Sequence, residues 1–183
     1  MILQTQRLIL RPWAQSDAES LFSYASDPDI GPRAGWPPHK NTEESLEIIR
    51  KVLSVPECYA ITEKGTDRAI GGIQLRQCDL KDPEAPSDHW ELGFWLAKPF
   101  WGRGYMPEAA EGLLRHGFAN LGIHTVWCSY YEGNAQSRRV QEKLGFVYHH
   151  SCEAFPVSLL KTVRVRHTNR LTREEWVLQN PSQ

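Results

Sequence analysis

A chain of 183 residues can bury one sizeable core, and 40% hydrophobic with 23% charged residues describes a globular domain, not a disordered chain. A net charge of −1 supplies no global field for nucleic acid or an anionic membrane, so neither is expected as a partner. No apolar run approaches the ~18 residues of a spanning helix, and Arg7 and Arg11 break up the region where a signal peptide needs its apolar stretch.

In chain order, residues 2–11 alternate Leu8 and Leu10 against Arg7, Ile9 and Arg11, which predicts a first strand. Ser16-Asp-Ala-Glu19 has the form of a capping box and opens a helix through about Ala25. Asp27-Pro-Asp and Gly31-Pro break it, and residues 34–40 form a loop containing Trp36-Pro-Pro-His39. Asn41-Thr-Glu-Glu44 starts a second helix with Leu46, Ile48, Ile49 and Leu53 as its apolar stripe. Residues 59–62 and 69–77 read as paired strands around a Lys64-Gly-Thr-Asp turn. Residues 79–88, with two prolines and four acids, are a loop. Residues 106–121 form the longest helix, burying Ala110, Leu113, Leu114, Gly117, Phe118 and Leu121. Then follow a strand at 125–131, a helix at 135–144, strands at 145–152 and 163–169, and a short helix opened by Thr172-Arg-Glu-Glu175. No repeat or linker divides the chain, so residues 1–183 are one domain. Cys58, Cys78, Cys128 and Cys152 are widely spaced without a Cys-x-x-Cys, which fits reduced thiols and a cytoplasmic location. No His/Cys group has zinc-ligand spacing, and neighbouring His149 and His150 point to opposite faces of a strand, so no metal is expected.

The densest signal lies in Glu91-Leu-Gly-Phe-Trp-Leu-Ala-Lys-Pro-Phe-Trp-Gly-Arg-Gly-Tyr-Met-Pro-Glu108. It reads as a strand, a glycine turn and a helix start. Trp90, Leu92, Phe94 and Leu96 share one strand face; His89, Glu91, Gly93 and Trp95 share the other. Gly102 and Gly104 allow a tight turn, and Pro107 suits the first helical position, where its missing N–H costs nothing. Free amides and the positive helix end meet there, as phosphate binding requires.

This stretch resembles the coenzyme-A-binding core of the GNAT N-acetyltransferases, whose turn Gln/Arg-x-x-Gly-x-Gly/Ala cradles the CoA pyrophosphate. Trp101-Gly-Arg-Gly-Tyr-Met106 aligns with it, with Trp101 at the Gln/Arg position and Met106 at the last Gly/Ala position. Asn134-Ala-Gln-Ser137-Arg-Arg-Val-Gln-Glu-Lys-Leu-Gly-Phe146 resembles the family's second cofactor motif, with Gln141 at the family tyrosine. The spelling Trp-Gly-Arg-Gly-Tyr-Met-x-Glu-Ala looks like the RimJ/RimL-type branch, the ribosomal-protein N-terminal acetyltransferases and their relatives.

The resemblance implies an α/β fold: a mixed, mostly antiparallel central sheet splayed at the cofactor strand and flanked by helices. It implies acetyl-CoA as cosubstrate and an amine as acceptor. Phe94, Trp95 and Leu96 would pair with pantetheine, the amides of Trp101, Gly102, Arg103, Gly104, Tyr105 and Met106 would hold the pyrophosphate, and Asn134 would bond the pantetheine arm. Glu91 is the expected general base, with His89 an alternative on the same face, and Ser137 the expected acid for the departing thiolate. Trp36, His39, His89 and Tyr130 are expected on the acceptor side, with Tyr130 and Tyr131 at the strand end so placed that one can face the acceptor and the other the core, and with the acidic 79–88 loop attracting a cationic amine. The leading expectation is acetylation of a protein or peptide N-terminal amine. A small amine (polyamine, amino acid or amine-bearing antibiotic) and a non-catalytic CoA-binding sensor are the alternatives, and a homodimer stays open.

Overall fold

Alternating apolar residues and well-placed caps produce one eight-stranded sheet in the computed structural model, which describes residues 1–77 and 90–181. The strands are β1 (Leu3–Gln4), β2 (Leu8–Pro12), β3 (Cys58–Glu63), β4 (Ala69–Gln77), β5 (Trp90–Leu96), β6 (Thr125–Tyr131), β7 (Val147–Val157) and β8 (Thr162–Thr172). The helices are α1 (Ala18–Ala25), α2 (Gly31–Ala34), α3 (Thr42–Ile48), α4 (Tyr105–Ala119), α5 (Ala135–Lys143) and α6 (Arg173–Gln179). The sheet order is β1-β2-β3-β4-β5-β6-β8-β7, and every pair is antiparallel except β5–β6. This is the mixed, mostly antiparallel sheet that the resemblance implies.

Each sheet face has its own core. Leu8, Leu10, Ile61, Ile73, Leu75, Leu92 and Val126 pack against Ala109, Ala110, Leu113 and Leu114 of α4. On the opposite face Trp13, Ala60 and Ala69 pack against Leu21 and Ala25 of α1 and Ile49 beyond α3, with Trp36 and Trp95 alongside. Strand periodicity of two therefore sorts the central residues between an α4 face and an α1–α3 face.

Several local expectations are corrected. The predicted strand at 2–11 is two strands, because the Leu8 amide donates to Thr5 Oγ1 (3.0 Å) and turns the chain back on itself. The α1 cap is not Ser16 with Glu19. Asp17 accepts from the Ala14 amide (2.9 Å) and binds Arg11 through two nitrogens (2.8 Å each), a buried pairing that outcompetes an exposed box. Gly31-Pro32, expected only to break α1, itself opens a one-turn helix, since proline is tolerated in a first turn; Gly35 ends it at φ 97°. Helix α4 begins at Tyr105, so Pro107 is its third residue, still ahead of any carbonyl that needs its N–H. Leu121 lies past the end of α4 and is exposed. Strands β7 and β8 run well past 145–152 and 163–169 because each supplies the other's ladder. The caps of α3 (Asn41) and α6 (Thr172 with Glu175) form as expected.

Candidate active site

Among the described residues, parallel pairing of β5 with β6 is confined to Trp90↔Val126 and Glu91↔Trp127. Beyond Glu91, β5 stays paired with β4 through Leu96, and β6 stays paired with β8 through Tyr131. A notch therefore opens between the two central strands. Antiparallel ladders alternate, so every second β5 residue turns its backbone groups away from β4. The Ala97 amide donates to Ile70 (2.9 Å), which places Trp95, Gly93 and Glu91 in register to bond β4 and leaves Phe94 directed into the notch. Two contacts agree with this phase: the Leu92 carbonyl accepts from Cys128 Sγ (3.2 Å), and the Leu96 carbonyl accepts from Trp101 Nε1 (2.7 Å). The expected set Phe94, Trp95 and Leu96 is thus corrected. Among the described residues Phe94 has no backbone partner in the notch, Trp95 spends its own groups on β4, and the Leu96 carbonyl is taken by Trp101.

Gly102 (φ 75°) and Gly104 (φ 77°) both use the left-handed region that side chains resist, and Gly104 caps α4. Among the described residues the amides of Gly102, Arg103 and Gly104 have no backbone acceptor, and the first turn of α4 adds its own free N–H groups. Gly102, Arg103 and Gly104 are exposed, so the turn can receive an anion. The turn is braced from outside. Glu108 accepts from Thr5 Oγ1 (2.5 Å), the Arg7 amide (2.7 Å) and Arg7 Nε (2.6 Å); Arg7 Nη1 reaches the Arg103 carbonyl (3.0 Å); and the Tyr105 hydroxyl donates to Glu63 (2.6 Å). The Met106 side chain is buried in the core beneath the turn, so only its amide faces the site.

Helix α5 starts beside the end of β6. Asn134 is its cap: Oδ1 accepts from the Ser137 amide (3.2 Å) and Nδ2 donates to the Arg33 carbonyl (3.1 Å). The first bond caps α5 and the second ties its start to α2, and the amide keeps a second N–H for a ligand. Ser137 Oγ accepts from Gln141 Nε2 (3.2 Å), and Gln141 Oε1 accepts from Asn169 Nδ2 (2.8 Å). Gln141 is fully buried. The serine hydroxyl therefore has its proton free while a buried amide fixes its oxygen.

Glu91 lies where the strands part, 23% exposed, and accepts from Arg76 Nη2 (3.0 Å). Its β6 partner Trp127 and the two-residue period put Tyr131 on the same face. Tyr130 falls on the other face, its ring on His167 (4.9 Å between centroids), so it is Tyr131 and not Tyr130 that shares the Glu91 face. Burial raises the Tyr131 hydroxyl; Glu91 adds to that, while Arg166 and Arg164 oppose it. Trp36 packs edge-on against Trp95 (6.1 Å) and beside His39 (5.3 Å), on the Glu91 face. His39 is 8% exposed and bonded through Nδ1 to Ser45 Oγ (2.7 Å); burial lowers its pKa, so it is a core residue behind Trp36, not an acceptor contact. His89 and the acidic loop at 79–88 lie outside the described residues.

A cleft of about 270 Å³ opens between α2 and the end of β6, lined among others by Arg33, Tyr131, Asn134 and Arg164. A larger groove of about 660 Å³ beside α1, with Asp17 and Arg68 in its wall, does not touch the notch. Sequence reading leaves open which of Tyr130 and Tyr131 faces the acceptor and does not single out Arg164 or Arg166, which the β6–β8 register places beside Tyr131. Alternation alone could have grouped Tyr131 with Trp127, but linking either to Glu91 needs the β5–β6 register. Among the described residues, no group of three or more His, Cys, Asp or Glu could hold a metal ion, and no helix is long and apolar enough to cross a membrane.

The family profile described as Acetyltransferase (GNAT) domain matches residues 7–147. The uncharacterized N-acetyltransferase p20 of Bacillus licheniformis is 28% identical over 149 residues, 79% of this chain and 81% of that protein. The FsC-acetyl coenzyme A-N(2)-transacetylase of Aspergillus fumigatus is 33% identical over 193 aligned positions, 98% of this chain and 80% of its own length. A GNAT-family acetyltransferase from Bacillus anthracis superposes with a TM-score of 0.83 at 20% identity, covering 96% of this chain and all of that one, a likeness of fold. A backbone notch, a free-amide turn and a family match over most of the chain agree: this protein belongs to the GNAT acetyltransferases.

Proposed function

We propose that this chain moves the acetyl group of acetyl-CoA directly onto the primary amine of a small-molecule acceptor. The observation that carries this reading is the loss of β5–β6 pairing immediately after Glu91, which brings a carboxylate and the free Phe94 backbone to one opening. Acetyl-CoA supplies an activated carbonyl and a good leaving group. The amides of Gly102, Arg103, Gly104 and the α4 start would hold its pyrophosphate, and Phe94 would pair with the pantetheine arm as a further strand does. Glu91, through a water, takes the proton an ammonium must shed before its nitrogen attacks the thioester carbon. The Phe94 N–H would donate to the oxyanion that forms. As the C–S bond breaks, the Ser137 hydroxyl gives its proton to sulfur and recovers one from the amine nitrogen through solvent.

A cleft of about 270 Å³ suits a small acceptor, and a relative covering nearly the whole chain is named for acetyl transfer to an N(2) position. A peptide N-terminus is the second reading, favoured by the RimJ/RimL-like spelling of residues 101–109. The test is thiol release from acetyl-CoA with amino acids, polyamines, aminoglycosides and peptides with free Ala, Ser or Met N-termini. Expected is turnover of a small amine, with Glu91→Gln slower by about 10²–10³ in kcat. Turnover of peptides alone would overturn the small-acceptor reading. Full activity in Glu91→Gln would remove Glu91 as base. Binding of acetyl-CoA with no turnover of any amine would favour the sensor.

A further inference from the structure

The Glu91 face of the notch continues onto β8. Cross-strand register sets Arg166 opposite Tyr131, and the two-residue period puts Arg164 on the same side. The Arg164 guanidinium lies 5.5 Å from the Tyr131 ring centre and donates through Nη1 to the Pro32 carbonyl (2.6 Å). The Arg166 guanidinium lies 3.7 Å over the Phe155 ring, and its buried Nε has no acceptor. Arg33, from α2, reaches Gln136 Oε1 at 3.3 Å and lines the same cleft as Arg164.

Place sets these three apart: among the described residues Arg50, Arg68, Arg103, Arg139 and Arg173 also lack an ion pair, but only Arg33 and Arg164 line this cleft and Arg166 is the cross-strand partner of Tyr131. Arg7, Arg11, Arg76, Arg115, Arg138 and Arg170 each have a carboxylate within ion-pair distance. Arg33, Arg164 and Arg166 have none among the described residues. Glu132, the carboxylate in the cleft wall, is bound to His167. Two guanidiniums line the cleft and a third follows on the same face of β8, while the nearby carboxylates Glu132 and Asp29 are engaged by His167 and Lys98, so the arginine side of the cleft attracts an anion. A guanidinium is also the side chain best shaped for a carboxylate or phosphate. Opposite them, across Tyr131, stands Glu91, which suits an ammonium.

We propose that the acceptor is zwitterionic. It carries a carboxylate or phosphate close to its amine, and Arg164, with Arg33 and Arg166, binds that anion so that the amine faces Glu91. This rests on the acetyl-transfer reading for the amine and on the arginine cluster alone for the anion.

The test titrates matched ligand pairs calorimetrically into the full chain saturated with CoA: glycine and glycinamide, β-alanine and β-alaninamide, phosphoethanolamine and ethanolamine. The expected result is that at least one anionic member binds about tenfold tighter than its partner. That preference should fall about tenfold in Arg164→Gln and in Arg33→Gln, and be partly kept in Arg164→Lys. Arg33 is exposed, so Arg33→Gln reads the site even if loss of the Arg164–Pro32 contact loosens α2. The carboxylate and phosphate pairs separate the two anion types. Equal binding within every pair, or no binding of any anion, overturns the proposal. Parallel acetyl-transfer assays keep the readings apart. Anion-selective binding without transfer removes the enzymatic reading and leaves the anion site; transfer without anion preference removes the anion site alone.

Discussion

Gln141 stands where the family places a tyrosine, and its burial makes a quantitative test available. Its amide is fully buried and joins Asn169 Nδ2 (2.8 Å) to Ser137 Oγ (3.2 Å). Gln141→Met keeps the length of the side chain and removes both bonds. The Asn169 donor, in a residue only 6% exposed, would then lack its partner, at about 1–3 kcal/mol. Ser137 is half-buried and can take water instead, adding at most about 1 kcal/mol. A net loss of about 2 kcal/mol is expected, which for a chain of this size lowers Tm by ~4–8 °C. Asn169→Ala should cost a comparable amount by stranding Gln141 Oε1. The double variant should cost less than the sum by about 1–2 kcal/mol, because it strands neither group. Urea unfolding of the four proteins closes the cycle. A coupling below about 0.5 kcal/mol would refute the relay, and with it the argument that Ser137 Oγ is held by a buried amide.

Further perturbations test the turn, its brace and the core. Gly104→Ala should lower stability by about 1 kcal/mol and weaken CoA binding about tenfold. The new Cβ meets nothing nearer than Arg7 Nη2 at 3.5 Å, so φ strain alone is at work; an unchanged CoA Kd would separate this turn from the pyrophosphate. For Glu108, burial opposes ionisation, but hydrogen bonds from Thr5 and Arg7 and the Arg7 charge outweigh it and hold the carboxyl below its ordinary value. A depressed carboxyl stabilises the fold above its unfolded pKa and loses that contribution as pH falls through the folded one. The Tm gap between wild type and Glu108→Gln should therefore shrink as pH drops from 7 to below about 4; a constant gap would show that the charge is irrelevant. Burial pushes the Cys58 thiol up to about 11 and the Cys128 thiol well above its usual range. Iodoacetamide at pH 8 should leave both unmodified in the native protein, since about one Cys58 thiol in a thousand is thiolate there. Rapid labelling detected by peptide mapping would contradict their burial.

Local chemistry made much of the chain legible from sequence. The caps at Asn41 and Thr172, the apolar stripe of α4 and the two glycines of the Trp101–Met106 turn act within a few residues, where spacing carries the information. The same locality misled at Ser16 and Glu19, because Arg11 from β2 pairs with Asp17 and moves the cap. At Asn134 one partner, the Ser137 amide, is three residues away, but the other is the Arg33 carbonyl, about a hundred residues away in sequence, which no local spacing records.

What the sequence determined by itself is most of the order of elements and the glycine turn with its free amides, set by near neighbours, while the candidacy of Glu91 and Ser137 follows from the family resemblance. Only the tertiary structure decided that β5 parts from β6 after Glu91, that Phe94 and not Trp95 faces the gap, and that Tyr131 and not Tyr130 lies on Glu91's side. Those outcomes depend on register between distant strands. A shift of one residue turns every side chain to the other face, and no spacing within a single strand records which register is taken.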